Sequence, residues 1–259
     1  MSIIILSALL PVIVLLRFIY HQDSMKPEPT NELVKAFFYG VGSIFVSLLI
    51  STPIAIWYDP PETTFWNGAY IAFMEAAVPE ETAKLLMLWL FLRRCTAFDE
   101  HLDGIVYACC VGMGFAACEN LTYVFGNLPT WSTVALVRAF LSVPAHFFFA
   151  VAMGYYYSLQ HWDARRRKDS EMPTHVWRYR VLMLLVPVML HGIYDTLCFA
   201  RNIRESALES GILLCVLLVF CWLMWKGSKR RIAEHFATDK VYFDLGEDHE
   251  TGEQTPEEV

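Results

Sequence analysis

The feature that most constrains this chain is a succession of apolar runs. Several approach or exceed the roughly 18 to 20 residues that cross a bilayer as helix. A water-soluble fold would need a polar shell to cover them. Here 56 % of the 259 residues are hydrophobic and only 18 % are charged, well below the usual share of a soluble domain. The fold class that follows is all-α, a polytopic transmembrane helical bundle of about seven spans. The runs cover residues 2–20, 34–57, 68–92, 104–125, 132–160, 179–199 and 207–225. The first lacks a basic leading segment and a clear small-residue cleavage site, and Arg17 follows its apolar stretch. It reads as a retained helix and not as a signal peptide.

The connecting loops alternate in charge. Arg17 and Lys26, then Arg93 and Arg94, then Arg165, Arg166, Arg167 and Lys168 occupy the odd loops. "DPPETTFWN" (59–67) and "NLPTW" (127–131) carry no Lys or Arg, while loop six holds Arg201 and Arg204. Lys226, Lys229, Arg230 and Arg231 follow the last run. The positive-inside rule puts the odd loops and the C-terminus in the cytoplasm and the N-terminus outside. Trp57, Trp66 and Trp131 then mark the outer interface, and Trp177 and Trp225 the inner one. Residues 1–230 form the expected membrane domain. Residues 231–259 form an acidic tail, expected to be disordered from about Asp244 onward. The net charge of -7 gives no sign of a nucleic-acid partner. Six of the seven cysteines lie in apolar stretches, with no C-x-x-C, so they read as small buried side chains.

Polar groups inside the spans are the anomaly. Glu75, Glu80, Glu81, Lys84, Glu119, Arg138, His146, His191 and Asp195 all fall within apolar runs. A charge at the bilayer centre costs about 2.5–3.5 kcal/mol on insertion scales, so nine facing lipid would cost on the order of 20 kcal/mol. They must face one another or a wet cavity. Helix-to-helix bonding alone is normally done by neutral Ser, Thr or Asn. Acids and imidazoles on four spans point to a site.

Spacing supports convergence. In "VPEETAKLLML" (78–88), Lys84 lies three residues from Glu81 and four from Glu80, so it reaches either acid. Phe115 and Glu119 share a helix face, as do His191 and Asp195. Ala108, Gly112, Ala116 and Asn120 form a small-residue stripe that should pack tightly on span three or six. With the orientation above, the cavity should open toward the external half of the bilayer.

The chemistry narrows by elimination. No G-x-S-x-G and no H-E-x-x-H occurs, and Asp195 is the only aspartate deep in a span. What remains is a set of carboxylates and histidines suited to activating water. His146, His191 or Asn120 is placed to hydrogen-bond a developing oxyanion.

"PEETAK" (79–84), "FAACEN" (115–120) and "HGIYD" (191–195) together resemble the motifs of PrsW-type glutamic intramembrane proteases, a family related to the CAAX prenyl endopeptidase and Abi group. The stretches 103–120 and 138–157 are similar to that family as well, and the resemblance covers about residues 70–200. It implies that Glu80 or Glu81 is the base that activates water. It places Glu119 where the prenyl endopeptidases have a histidine, and Asp195 where they commonly have asparagine. The implied substrate is a single-pass membrane protein of the anti-sigma-factor kind, cleaved in the cell membrane.

The expected catalytic set is Glu80, Glu81, Glu119, His146, His191 and Asp195, supported by Lys84, Phe115, Asn120 and Arg138, with no cofactor. Two other classes compete. One is a metal-dependent membrane hydrolase, with His146, His191, Asp195 and Glu119 as ligands to zinc or iron. The other is a proton or ion carrier using the buried acids, which the lack of a visible inverted repeat counts against. The oligomeric state is not written in the sequence.

Overall fold

A computed structural model describes residues 1–61, 63–165, 174–204 and 206–251. Arg166, Arg167 and Lys168, part of the charge count for loop five, lie outside the described residues, as does the end of the tail from 252. Among the described residues the chain is helical, with no β-strand. The helices are α1 (Ser2–Gln22), α2 (Thr30–Trp57), α3 (Phe65–Tyr70), α4 (Val78–Leu92), α5 (His101–Gly126), α6 (Trp131–Phe140), α7 (Ser142–Arg165), α8 (Thr174–Asn202) and α9 (Ala207–Thr251). Six helical stretches are long and apolar enough to cross a membrane. Residues 65–92 add a further continuous helical run in three pieces.

α5 is the axis of the bundle. It is buried over nearly its whole length, with α7 and α2 as its main partners and α1 packed beside them. The reason lies in its glycines. A methyl group on Gly114 would overlap the carbonyl of Phe37 in α2, and one on Gly40 would overlap the carbonyl of Val111. On the other side, Gly112 faces Ala150 of α7, and Gly104 and Gly154 meet backbone to backbone. The small-residue stripe allows the expected close approach, but at Gly112 the partner is α7, and neither span three nor span six. Gly104 extends the stripe by one turn and also faces α7, whereas Gly114 opens another face of the same helix to α2. This lets α5 be enclosed by several neighbours.

Prolines set two breaks. Residues Ile71–Ala77 form a π-helical stretch between α3 and α4, with Val78 bonding back to the carbonyl of Phe73. Pro79 has no N–H for the carbonyl of Glu75, and its ring crowds that carbonyl, so the wider turn relieves both. The run expected over 132–160 is likewise divided at Leu141, between α6 and α7. Pro144 cannot donate to the carbonyl of Phe140, so the helix restarts there. The first break lies just ahead of Glu80 and Glu81, and the second separates Arg138 from His146.

α9 is 45 residues long, or about 68 Å, more than twice a ~30 Å hydrocarbon core. Its second half must leave the bilayer. Lys226 and Lys229 lie over Trp222 and Trp225 near that point. Residues 231–244, the expected start of the tail, continue this helix, with Ile232, His235 and Asp239 buried. Asp239 accepts hydrogen bonds from the amides of His101 and Leu102, both at 2.8 Å. It thus caps α5 from a distant part of the chain, which no local sequence rule would reveal.

Candidate active site

The anomalous polar residues converge where the start of α4, the end of α5, the start of α7 and the end of α8 meet. Glu119 is seven residues from the end of α5, and Asp195 seven from the end of α8. His146 is in the first turns of α7 and Glu80 in the first turn of α4. Antiparallel packing brings these four ends to one level of the bundle.

Lys84 is the hub. Its ammonium donates to Glu81 Oε1 at 2.8 Å, to Glu80 Oε2 at 3.3 Å and to His146 Nδ1 at 3.2 Å. Its three protons are thereby engaged. Phe115 supplies a ring face 4.0 Å from the ammonium. Sequence spacing allowed Lys84 either glutamate; in the structure it holds both, since positions i+3 and i+4 flank a single point on a helix face.

His146 relays this contact. Because Nδ1 accepts from Lys84, the proton sits on Nε2, which donates to Glu119 Oε2 at 2.7 Å. Arg138 also bonds that carboxylate oxygen, at 2.8 Å, and donates to Asn120 Oδ1 at 2.8 Å. Tyr123 lies under the guanidinium, 4.0 Å away. Asn120 is fully buried and donates an amide N–H to the carbonyl of Ala8 at 2.7 Å. Its amide ties α1 to α5 and accepts from Arg138, and it is not among the residues lining the cavity at this cluster, so the geometry does not favour the expected oxyanion role. Nε2 of His146 is likewise committed, to Glu119.

His191 closes the other side. Nδ1 lies 2.9 Å from Glu81 Oε1, and Nε2 lies 3.2 Å from Asp195 Oδ2 and 4.0 Å from Glu80 Oε2. With the flanking carboxylates ionised, both ring nitrogens must donate. The ring stacks on Phe149, with centroids 4.8 Å apart. Sequence reasoning missed Phe149 and Tyr123. Their helical spacings, three residues from His146 and four from Glu119, were the available signal.

A cavity of about 360 Å³ opens onto this cluster, lined by Glu80, Glu119, Arg138, His146, His191 and Asp195 among others. The side chains of Glu80, Glu119 and Asp195 are 15 %, 20 % and 21 % exposed, that of Glu81 not at all. Glu75 is not part of the lining; it sits in the π-helical stretch with one carboxylate oxygen buried and unpartnered among the described residues.

The model of the PrsW family of intramembrane metalloproteases matches residues 28–225. The chain belongs to the PrsW family. Curated relatives, each called Protease PrsW, include one from Clostridioides difficile, 28 % identical across 92 % of this chain and 93 % of its own length. Those of Geobacillus kaustophilus (31 %, over 77 % and 81 %) and Bacillus subtilis (30 %, over 88 % and 93 %) are similar too. No solved structure matches the chain. Like its PrsW relatives, the protein is a membrane-embedded protease.

The family's description implies a metal. Glu80, Glu81 and His191 each offer a ligand atom, and the three lie within 4.8 Å of one another. Glu81 Oε2 is buried with no hydrogen-bond partner among the described residues. Two carboxylates and an imidazole suit a borderline divalent ion such as zinc. In type and spacing these PrsW residues fit a metal once His191 gives up the proton of one ring nitrogen, and these three would hold it, though Lys84 already neutralises an oxygen of each glutamate. His146, Glu119 and Asp195, expected as metal ligands under that reading, are not in this group; of the expected ligands it holds His191.

Proposed function

We propose that this PrsW-family protein hydrolyses a peptide bond of a single-pass membrane protein using water activated by Glu80. One observation carries the choice of base. Glu80 presents its carboxylate to the cavity, whereas Glu81 is fully buried and held by Lys84 and His191. Glu80 takes a proton from water, the hydroxide attacks the carbonyl carbon, and the proton passes to the leaving amine. His191 Nε2, between Glu80 and Asp195, donates to the oxyanion. Glu81 and Asp195 orient that ring. Arg138 and His146 fix Glu119 at the cavity wall.

The test is cleavage of a membrane-bound substrate by purified protein. Glu80→Gln should lower kcat about 10²- to 10⁴-fold with unchanged thermal stability. Full activity in that variant would overturn the assignment. The substrate class follows the resemblance, a regulator of the anti-sigma-factor kind. The resemblance supports residence in the cell membrane, and the charge distribution of the loops supports an outside N-terminus and a cytoplasmic C-terminus.

A second reading, metal-assisted hydrolysis, is favoured by the unpartnered Glu81 oxygen and by the family's description. A metal held by Glu80, Glu81 and His191 would polarise the scissile carbonyl and acidify water. Chelator-treated protein shown free of metal decides between the two. Retained cleavage supports glutamate activation; loss reversed by added zinc supports the metal.

A further inference from the structure

The end of α8 breaks the charge alternation of the sequence. By the positive-inside count it lies outside, yet Arg201 and Arg204 are there. Arg204 pairs with Glu209 at 3.6 Å in an exposed contact. Arg201 has no such partner. Its Nε is buried without a hydrogen bond, and its guanidinium makes no ion pair among the described residues.

Arg201 belongs to the last turn of α8, is half-buried, and lines the active-site cavity with His191, Asp195 and Cys198 of the same helix. The other arginine of that lining, Arg138, is engaged by Glu119 and Asn120. The backbone beneath Arg201 is fixed. Its carbonyl accepts from the amide of Arg204 at 3.3 Å. Phe199, two residues earlier, packs on α3, where a methyl added to Gly68 would come within 3.1 Å of its Cβ. A held helix end thus presents an uncommitted guanidinium at the cavity wall.

A cation partly withdrawn from water and left without an anion is unfavourable. The acids of the cavity do not relieve it, because they are taken elsewhere. Glu119 is held by Arg138 and His146, Asp195 by His191, and Glu80 by Lys84. The planar fork of a guanidinium matches a carboxylate. What fits it is an anion that arrives with the substrate.

We propose that Arg201 is a specificity-determining residue that binds an Asp or Glu side chain of the substrate, on the side of the scissile bond toward the end of α8. This rests on the reading of the cavity as the proteolytic site, with His191 at the oxyanion. Arg201 is ten residues beyond His191, about 15 Å along the helix. An extended peptide covers that distance in about four or five residues, which sets how far the acid lies from the cleaved bond.

The test uses purified full-length protein in phosphatidylcholine nanodiscs. The probe is a library of single-pass membrane proteins that share one transmembrane segment and vary in the residues flanking its outer end. Cleavage sites are read by mass spectrometry. Cleaved members should be enriched in Asp or Glu at that distance from the cut, always on the same side. For one such substrate, changing the acid to its amide should lower kcat/KM about tenfold to a hundredfold. Arg201→Gln should cleave the acid and amide forms with equal kcat/KM, and Arg201→Glu should prefer a lysine form. A folding defect slows every form alike, so the ratio between forms decides even in a destabilised variant. Equal cleavage of acid and amide forms by the wild type, as when Arg201 holds a lipid phosphate instead, would overturn the proposal. So would an acid preference that survives Arg201→Gln. No cleavage of any library member by the wild type would overturn the underlying reading of the cavity, and this inference with it.

Discussion

Lys84 shows how one side chain can organise a membrane-embedded cluster. Its ammonium bonds two carboxylates and a histidine while 4 % exposed. Removing it takes from the fully buried Glu81 one of its two cationic partners and leaves His191. Lys84→Met should therefore destabilise the protein by about 3–5 kcal/mol, read as a lower thermal midpoint in detergent. Lys84→Met combined with Glu81→Gln should recover part of that loss, because the stranded charge is gone. At the same scale, Asn120→Ala should cost stability more than catalysis. Its amide bonds Ala8 and Arg138 and donates nothing to the cavity. A fall in kcat as large as that of Glu80→Gln, with normal stability, would refute this placement.

At the scale of elements, the contacts of α5 are set by backbone approach. Gly114→Ala would drive a methyl into the carbonyl of Phe37, which belongs to rigid helix backbone and cannot rotate away. The expected outcome is a destabilisation of about 1–3 kcal/mol. Gly126→Ala is the control, since nothing lies within 4 Å of the added methyl; it should leave the midpoint unchanged. The π-helical stretch and the break at Leu141 have a common origin in prolines whose missing N–H prevents a regular turn. Both fall next to site residues, so each aims side chains that a straight helix would turn elsewhere. Pro79 was visible in the sequence as a break beside the acids. That the distortion would spread back over residues 71–77 as a wider helix was not.

At the scale of the whole molecule, α9 ties a membrane-crossing segment to the end of the bundle where α5 begins. Its apolar half crosses the bilayer, and its polar half returns to the bundle through Tyr155–Glu234 and Asp239–His101 contacts. Asp239→Ala removes the cap of α5, so a loss of about 1–2 kcal/mol is expected. Faster proteolysis of residues 231–244 should accompany it. Unchanged stability and protection would mean that this half of α9 does not support the bundle.

The sequence by itself determined the helical membrane fold, the approximate spans and the set of polar residues that had to leave lipid. Apolar run length and the cost of buried charge are properties of short segments, and i+3 or i+4 spacing marks which groups share a face. That Lys84 reaches either glutamate was legible there; that it holds both was not. Tertiary structure alone decided that Glu80 faces the cavity while Glu81 is sealed, that Asn120 binds α1, and that α5 packs on α7 and α2. Those outcomes depend on which helix faces meet across long stretches of chain, and on how closely their backbones approach. No local spacing encodes that. Asp239 capping a helix more than a hundred residues earlier is the plainest case.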